Sequence, residues 1–378
     1  MKGKFEKSHS KKTKIPKETV LYQIILRSGI KFNFALRILM TMSKSNFLLA
    51  CLMIGIFSIL VSCSSDPEEC TLDEEILAQD LTLQIDRLED EFFSAQTPED
   101  FFYLFEKHPE FTEQYLQPEL YANLDSLVAS LIEVHQDTSM RNLYEAVKSE
   151  RSDISEVESE LENAFKYIRH YYPEFEAPKV YTFVSGFNSD LFITEDVIVI
   201  GMDYFLPTDH PYQPDLPRYM ADRYDLPYLV PMIVTALSSR FNEIEIEDKS
   251  LLAEMIYYGK AYHFAKAVLP CTPEGLIIGY TDEQVADSYS NEEFIWAHFV
   301  ENELLYETNP FEIQKYLGEA PSTDAISTKA PGRLGRWLGW NIVDDYEAAQ
   351  EASLQEIMAE KDAEFIFRLS GYRPRGLE

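Results

Sequence analysis

The hydrophobic pattern in the middle of the chain predicts a small β-sheet. Residues 180–187 alternate β-branched and aromatic side chains, and residues 188–190 supply the polar types that favour turns. Residues 197–200 form a short, wholly apolar run, which is typical of a strand buried on both faces. Together these segments predict a β-hairpin whose second strand lies inside the core.

Two apolar segments at helical spacing follow this predicted hairpin. The first covers residues 232–241, with Pro231 at the first helical position, where proline is tolerated. The second begins near residue 249 and is stopped by Pro270. Farther on, residues 291–306 have the pattern of an amphipathic helix.

Upstream, residues 73–172 have an almost entirely helical pattern. Residues 97–100 and 117–119 carry a proline followed by acidic side chains, as helix starts do, and residues 154–172 predict a third, longer helix. We therefore predict an α+β fold that is mainly helical. A helical N-terminal half would lie across a small sheet, within one globular domain at residues 73–378.

The layout of strands followed by two apolar helices resembles the core of zincin peptidases. That core needs a His-Glu-x-x-His helix, and none of the seven histidines here precedes a glutamate. In the best register, Thr235, Ala236 and Ser239 occupy the place of the motif, and Glu254 or Tyr258 falls near the third ligand. Threonine and serine hydroxyls are poor zinc ligands at neutral pH, so we expect no zinc hydrolase and no cofactor here.

The N-terminal segment has the features of a lipoprotein signal peptide. Residues 47–61 are uncharged and too few for a comfortable membrane span, and residues 60–63 resemble the bacterial lipobox ending in Cys63. We predict a signal peptide at residues 1–62, lipidation of Cys63 and a tether at residues 63–72. The leader is unusually long, which makes Met40 or Met42 an alternative start.

Charge separates this leader from the rest of the chain. Residues 1–62 contain 11 of the 33 Lys and Arg but 2 of the 65 Asp and Glu, which leaves residues 63–378 with a net charge of −41. Such a surface repels nucleic acid and anionic lipid, so we expect no nucleic-acid partner and membrane attachment through the N-terminal lipid. The acidic surface attracts basic partners or cations, or it serves solubility alone.

Four cysteines occur in the chain. Cys51 lies in the predicted signal peptide and Cys63 is the lipidation site. Cys70 and Cys271 remain, in an extracytoplasmic and oxidising compartment. The sequence leaves a disulfide and two free thiols as equal alternatives.

Residues 331–346 combine glycine, tryptophan and arginine. Gly332, Gly335 and Gly339 recur at spacings of three and four, which places them on one side of a helix and lets another backbone approach closely. We interpret the segment first as helix packing, with its arginines paired to acidic groups. It also contains four candidate contacts to a partner or a ligand carboxylate: Arg333, Arg336, Trp337 and Trp340.

The alternative is a metal-dependent hydrolase with a non-standard metal site. Glu254, His263, His298 and Glu301 could be brought together by folding, although each histidine on its own is better explained as an ordinary hydrogen-bonded residue.

Several of these segments together resemble a known family. The lipobox, residues 180–187, 196–206, 291–306 and 331–340, and the terminal residues 370–374 look like the gliding-motility lipoproteins of Bacteroidetes called GldB. The resemblance covers most of the chain after Cys63. It implies a role in gliding motility, which is tied to type IX secretion, and a distant similarity to predicted zinc peptidases. It implies no established catalytic activity.

The leading hypothesis is a lipid-anchored, non-catalytic accessory protein of the gliding or secretion machinery, with a groove that holds a protein partner. We expect it in the cell envelope, at the outer membrane in preference to the inner membrane. The alternatives are an envelope zinc hydrolase with a non-standard site and a lipoprotein that binds a peptide or glycan.

Overall fold

The computed structural model describes residues 70–374. The predicted signal peptide at residues 1–62, Cys63 and most of the tether at residues 63–72 lie outside the described residues. The described part belongs to a unit that spans Cys70–Glu378. Its helices surround one four-stranded sheet, in agreement with the predicted helical α+β class.

Short helices make up most of the N-terminal half, as predicted. Thr97 forms a capping box with Asp100 at the start of α3, which confirms the helix start there. At residues 117–119 only the 3₁₀ turn Pro118–Leu120 forms, and the next helix begins after Asn123, whose side chain accepts from the Ser126 N–H. The helices are α1 (Glu74–Leu77), α2 (Leu88–Ser94), α3 (Pro98–Lys107), α4 (Leu124–Gln136), α5 (Thr138–Glu150) and α6 (Ser155–Tyr171), with a π-helical turn at Phe111–Leu116.

The sheet corrects the predicted hairpin. It contains β1 (Ile85–Arg87), β2 (Lys179–Phe183), β3 (Leu191–Ile193) and β4 (Val197–Gly201), in the order β1-β2-β4-β3. β2 pairs in parallel with both β1 and β4, and the antiparallel pair is β3 with β4. The hairpin between β2 and β4 is therefore wrong, whereas the complete burial of β4 is confirmed. β1 was missed because three residues within a helical pattern carry too little signal.

A buried carboxylate anchors the loop that leads from β2 to β3. The chain leaves β2 through Gly186 and Phe187, both at positive φ, and crosses the carboxyl end of β4 to reach β3. Asp203, which is fully buried, accepts hydrogen bonds from the Ser185 and Phe187 backbone N–H groups at 2.9 and 2.6 Å. Burial raises the pKa of Asp203, although these bonds favour its charged form. The carboxylate thus holds the crossing loop in place.

From residue 218 to residue 374 the regular elements are helices, with one isolated β-bridge between Ser322 and Pro331. None of the helices within residues 70–374 is both long and apolar enough to span a membrane. The helices are α7 (Arg218–Ala221), α8 (Leu226–Leu237), α9 (Leu251–Val268), α10 (Glu274–Ile278), α11 (Asp282–Ser290), α12 (Glu292–Glu301), α13 (Pro310–Leu317), α14 (Leu334–Gln350), α15 (Leu354–Ala359) and α16 (Ala363–Ser370).

The two predicted core helices are present, with one correction. Asp225 caps α8 by accepting from the Leu226 N–H, so the helix begins several residues before the predicted start. Pro231 is therefore inside α8 and not at its first position. α9 begins after the cap Ser250 and ends before Pro270, as predicted.

Glycines bring α9 and α14 into backbone contact. A methyl group on Gly259 would lie 2.8 Å from the Trp340 nitrogen and closer still to the Gly339 carbonyl. A methyl group on Gly339 would in turn overlap the Met255 carbonyl. The predicted close approach of another backbone is thus confirmed at Gly339, whereas Gly332 precedes the helix and does not share its face.

A disulfide joins Cys70 to Cys271, just after α9. Of the two alternatives that the sequence left open, the structure contains the bonded one. It closes a loop of 201 residues in sequence separation. A cross-link of this length restricts the unfolded chain strongly.

Lys260 on α9 is an almost completely buried cation. Its ammonium donates to the Glu243 and Glu360 carbonyl oxygens, both at 2.7 Å, and the residue is 1% exposed. Burial lowers the pKa of Lys260 to about 8. The side chain therefore ties two loops to α9 while it carries a costly charge.

Candidate functional site

A cavity of about 450 Å³ lies between α8, α9 and the end of α10. Met232 and Thr235 reach it from α8, and Tyr258 and Tyr262 reach it from α9. Residues 276–279 form another wall. Its volume lies in the range of small-ligand sites, which is roughly 300–1,000 Å³, so we take it as the candidate site.

The residues at the positions of the missing zinc motif line this cavity. Thr235, Ala236, Ser239 and Tyr258 all reach it, whereas Glu254 lines a separate cavity of about 310 Å³. The Ser239 hydroxyl donates to the Ala236 carbonyl at 2.8 Å. The Thr235 hydroxyl is buried and has no hydrogen-bond partner among residues 70–374. Sequence register thus located the cavity, and the groups it identified there are not zinc ligands.

Three arginines surround one carboxylate at the cavity wall. This arginine cluster consists of Arg223, Arg333 and Arg336, with Glu319 between them. Arg223 Nη2 lies 2.6 Å from Glu319, Arg333 Nε 3.7 Å and Arg336 Nη1 3.6 Å. Burial opposes the charge of Glu319, but Arg333 and Arg223 outweigh it and lower the pKa of this carboxyl. The cluster therefore carries two positive charges in excess.

Packing and hydrogen bonds fix Arg336, which lies in the first turn of α14. Its Nε donates to the Leu317 carbonyl at 2.7 Å, and its guanidinium stands 4.1 Å from the centre of the Tyr258 ring. Burial raises the pKa of Tyr258, against the opposing effect of Arg336, so the phenol remains neutral at physiological pH.

The other two arginines differ in how fully they are bonded. Arg333 occupies a left-handed backbone conformation just before α14 and donates to the Gly279 carbonyl at 3.2 Å. Arg223, after α7, has a buried Nε that finds no acceptor among the described residues. The cluster therefore contains oriented donors that its single carboxylate does not satisfy.

The two tryptophans predicted as contacts to a partner or ligand do not line this cavity. Trp337 is fully buried, and its indole N–H donates to Glu274 at 3.2 Å. Trp340 is 4% exposed and packs beside Tyr262. Trp337 packs edge-to-face against Tyr289, so both indoles lie among buried side chains and not at the cavity.

The alternative metal site is not assembled. His263 Nδ1 lies 2.7 Å from Asp344, and His298 Nε2 lies 3.1 Å from the Tyr316 hydroxyl. Within residues 70–374, no three His, Cys, Asp or Glu side chains come together in a way that could hold a metal ion. Glu254, His263, His298 and Glu301 therefore have separate surroundings.

Sequence reasoning missed two members of the arginine cluster. Arg223 and Glu319 are 96 residues apart in sequence, and neither belongs to a recognisable motif. The one available signal was the scarcity of basic residues in an acidic chain, which drew attention to Arg333 and Arg336 only.

Comparisons with known proteins agree with the resemblance noted in the sequence. The model of the lipoprotein family described as gliding motility protein GldB matches residues 69–374. No curated protein and no solved structure matches the chain. Because the match covers most of the sequence and nearly all of the described fold, this chain belongs to the GldB family of gliding motility proteins.

Proposed function

We propose that this protein is a non-catalytic accessory component of the gliding motility and type IX secretion machinery, and that its cavity holds a protein partner. The observation that carries the proposal is the lining of the cavity. In the register of the resemblance to zincins, the positions of the metal ligands are held by Thr235, Ala236, Ser239 and Tyr258. These residues line the cavity next to the arginine cluster. Such a surface is suited to binding a charged group and lacks the donors for activating a metal-bound water.

Attachment through a lipid on Cys63, at the outer membrane in preference to the inner membrane, is part of the proposal. The lipobox at residues 60–63 supports it, as does the net charge of −41 on residues 63–378. A body of that charge gains nothing from anionic lipid, so a covalent anchor supplies the attachment.

A substitution that fills the cavity tests the partner-binding role. Ala236 is an exposed alanine on α8 that lines the cavity, so Ala236→Phe places a ring in the binding space without disturbing the core. Ala349 is an exposed alanine on α14 away from the cavity, and Ala349→Phe is the matched control. Each replaces the chromosomal copy in a gliding strain.

We expect Ala236→Phe to abolish gliding on agar at unchanged protein level, and Ala349→Phe to glide like the parent. Normal gliding of the Ala236→Phe strain would refute the role of the cavity.

Metal content tests the non-catalytic part separately. Near-stoichiometric zinc in protein purified without chelator and without a histidine tag would refute it.

A further inference from the structure

We propose that the cavity binds the C-terminal carboxylate of a partner polypeptide, whose last side chain is apolar and whose preceding residues are neutral or basic. This inference rests on the proposed function, because it specifies the chemistry by which the cavity holds its partner.

Charge balance calls for a second carboxylate. Arg223, Arg333 and Arg336 face one internal carboxylate, Glu319. Their excess positive charge lies in a part of the chain whose net charge is −41. Buried cations without counter-ions are costly, and a planar carboxylate matches the donor geometry of guanidinium groups.

Two polar groups at the cavity lack hydrogen-bond partners that such a ligand could supply. Arg223 Nε and Thr235 Oγ1 are buried without hydrogen-bond partners among the described residues, and both residues line the cavity. Arg336 is already held by Leu317 and Tyr258, so it offers its donors without losing conformational freedom. A carboxylate in the cavity would accept from Arg223 and from the Thr235 hydroxyl.

The remaining walls favour a chain terminus over an acidic side chain. Met220, Met232 and Leu276 present apolar surface beside the arginines, within a cavity of about 450 Å³. A terminal residue delivers a carboxylate and an apolar side chain together, through one point of entry. A peptide rich in Asp and Glu would instead be repelled by the net charge of −41 on residues 63–378.

The test uses two matched pools of fluorescein-labelled hexapeptides that end in Phe, Leu or Met. Preceding positions are randomised among Gly, Ala, Ser, Thr and Lys. One pool ends in a free carboxylate and the other in an amide. Both are titrated with the full-length protein in detergent, and binding is followed by fluorescence anisotropy.

We expect the carboxylate pool to bind at least about tenfold more tightly than the amide pool, as for the loss of a charge-assisted hydrogen bond. Two control probes are titrated in the same way. Free acetate represents a small carboxylate, and peptides with one internal Glu and an amidated end represent a carboxylate side chain. If either probe bound as tightly as the carboxylate pool, the assignment to a chain terminus would be overturned.

Three variants locate the site. Arg223→Gln should lower affinity for the carboxylate pool about tenfold or more, while Arg218→Gln, which changes a 92% exposed arginine nearby, should leave it unchanged. Thr235→Val should lower affinity about three- to tenfold and leave the unfolding temperature equal or higher, because the hydroxyl it removes is unpartnered in the free protein.

Failure of the inference is distinguishable from failure of the proposed function. Equal affinity for the two pools, no binding of either, or full affinity in Arg223→Gln and Thr235→Val would overturn the carboxylate site. Loss of gliding in Ala236→Phe would in that case still support partner binding at the cavity by other chemistry.

Discussion

Replacing Gly339 with alanine should separate the two helices on which the cavity depends. In an ordinary helix this change stabilises, by up to about 1 kcal/mol, because alanine is the better helix former. Here the added methyl group would overlap the Met255 carbonyl of α9, and backbone atoms cannot rotate away as a side chain can. The crossing also positions Tyr258 against Arg336, 4.1 Å from ring centre to guanidinium.

Overpacking of a core costs about 1–3 kcal/mol, and a contact against backbone belongs at the upper end of that range. After the gain in helix propensity, we expect Gly339→Ala to lower the free energy of unfolding by about 2 kcal/mol. For a unit of this size, Cys70–Glu378, the unfolding temperature would fall by roughly 3 °C.

Gly335→Ala on the same helix is the matched control. There the nearest atom to an added methyl group is the end of the Leu317 side chain at 2.7 Å, which can move. Urea unfolding followed by circular dichroism gives both free energies. Equal or greater stability of Gly339→Ala would refute the backbone contact between α9 and α14.

Two further predictions concern Lys260 and the disulfide. Because the pKa of Lys260 is about 8 in the folded protein and about 10.4 when unfolded, the folded form loses its proton first, and stability should rise by about 2 kcal/mol between pH 7 and 9.5. Urea titrations should show this rise in the parent protein and lack it in Lys260→Met, whereas an equal rise in both would exclude Lys260 as its source. Cys271→Ser opens the loop closed with Cys70 and should lower the free energy of unfolding by about 2–5 kcal/mol. The reductant dithiothreitol should destabilise the parent but not this variant, and a parent insensitive to it would contradict the disulfide.

Local patterns in the sequence were sufficient to predict several elements. Each signal lies within a few residues of the element that it defines: the Thr97–Asp100 capping box, the wholly apolar run of β4 and the stop before Pro270. The same holds for the glycine at 339, since a small residue inside an apolar helix indicates close packing wherever its neighbour comes from.

Strand order depended on a contact that no local pattern contains. Between β2 and β3 the chain crosses the end of β4, and Asp203, distant from the pattern of either strand, holds the loop that makes this crossing. A short β1 pairs with β2 from more than 90 residues upstream.

The candidate site divides in the same way. Of the positions that the resemblance to zincins grouped, Thr235, Ala236, Ser239 and Tyr258 line one cavity, because the consecutive helices α8 and α9 pack together. Glu254 lines another cavity. The arginine cluster joins Arg223 to Arg333 and Arg336, more than 100 residues later in the sequence, around Glu319. Charge acts through space and leaves no periodicity along the chain, so only the tertiary structure could decide which acidic residue pairs with these arginines and which donors remain free.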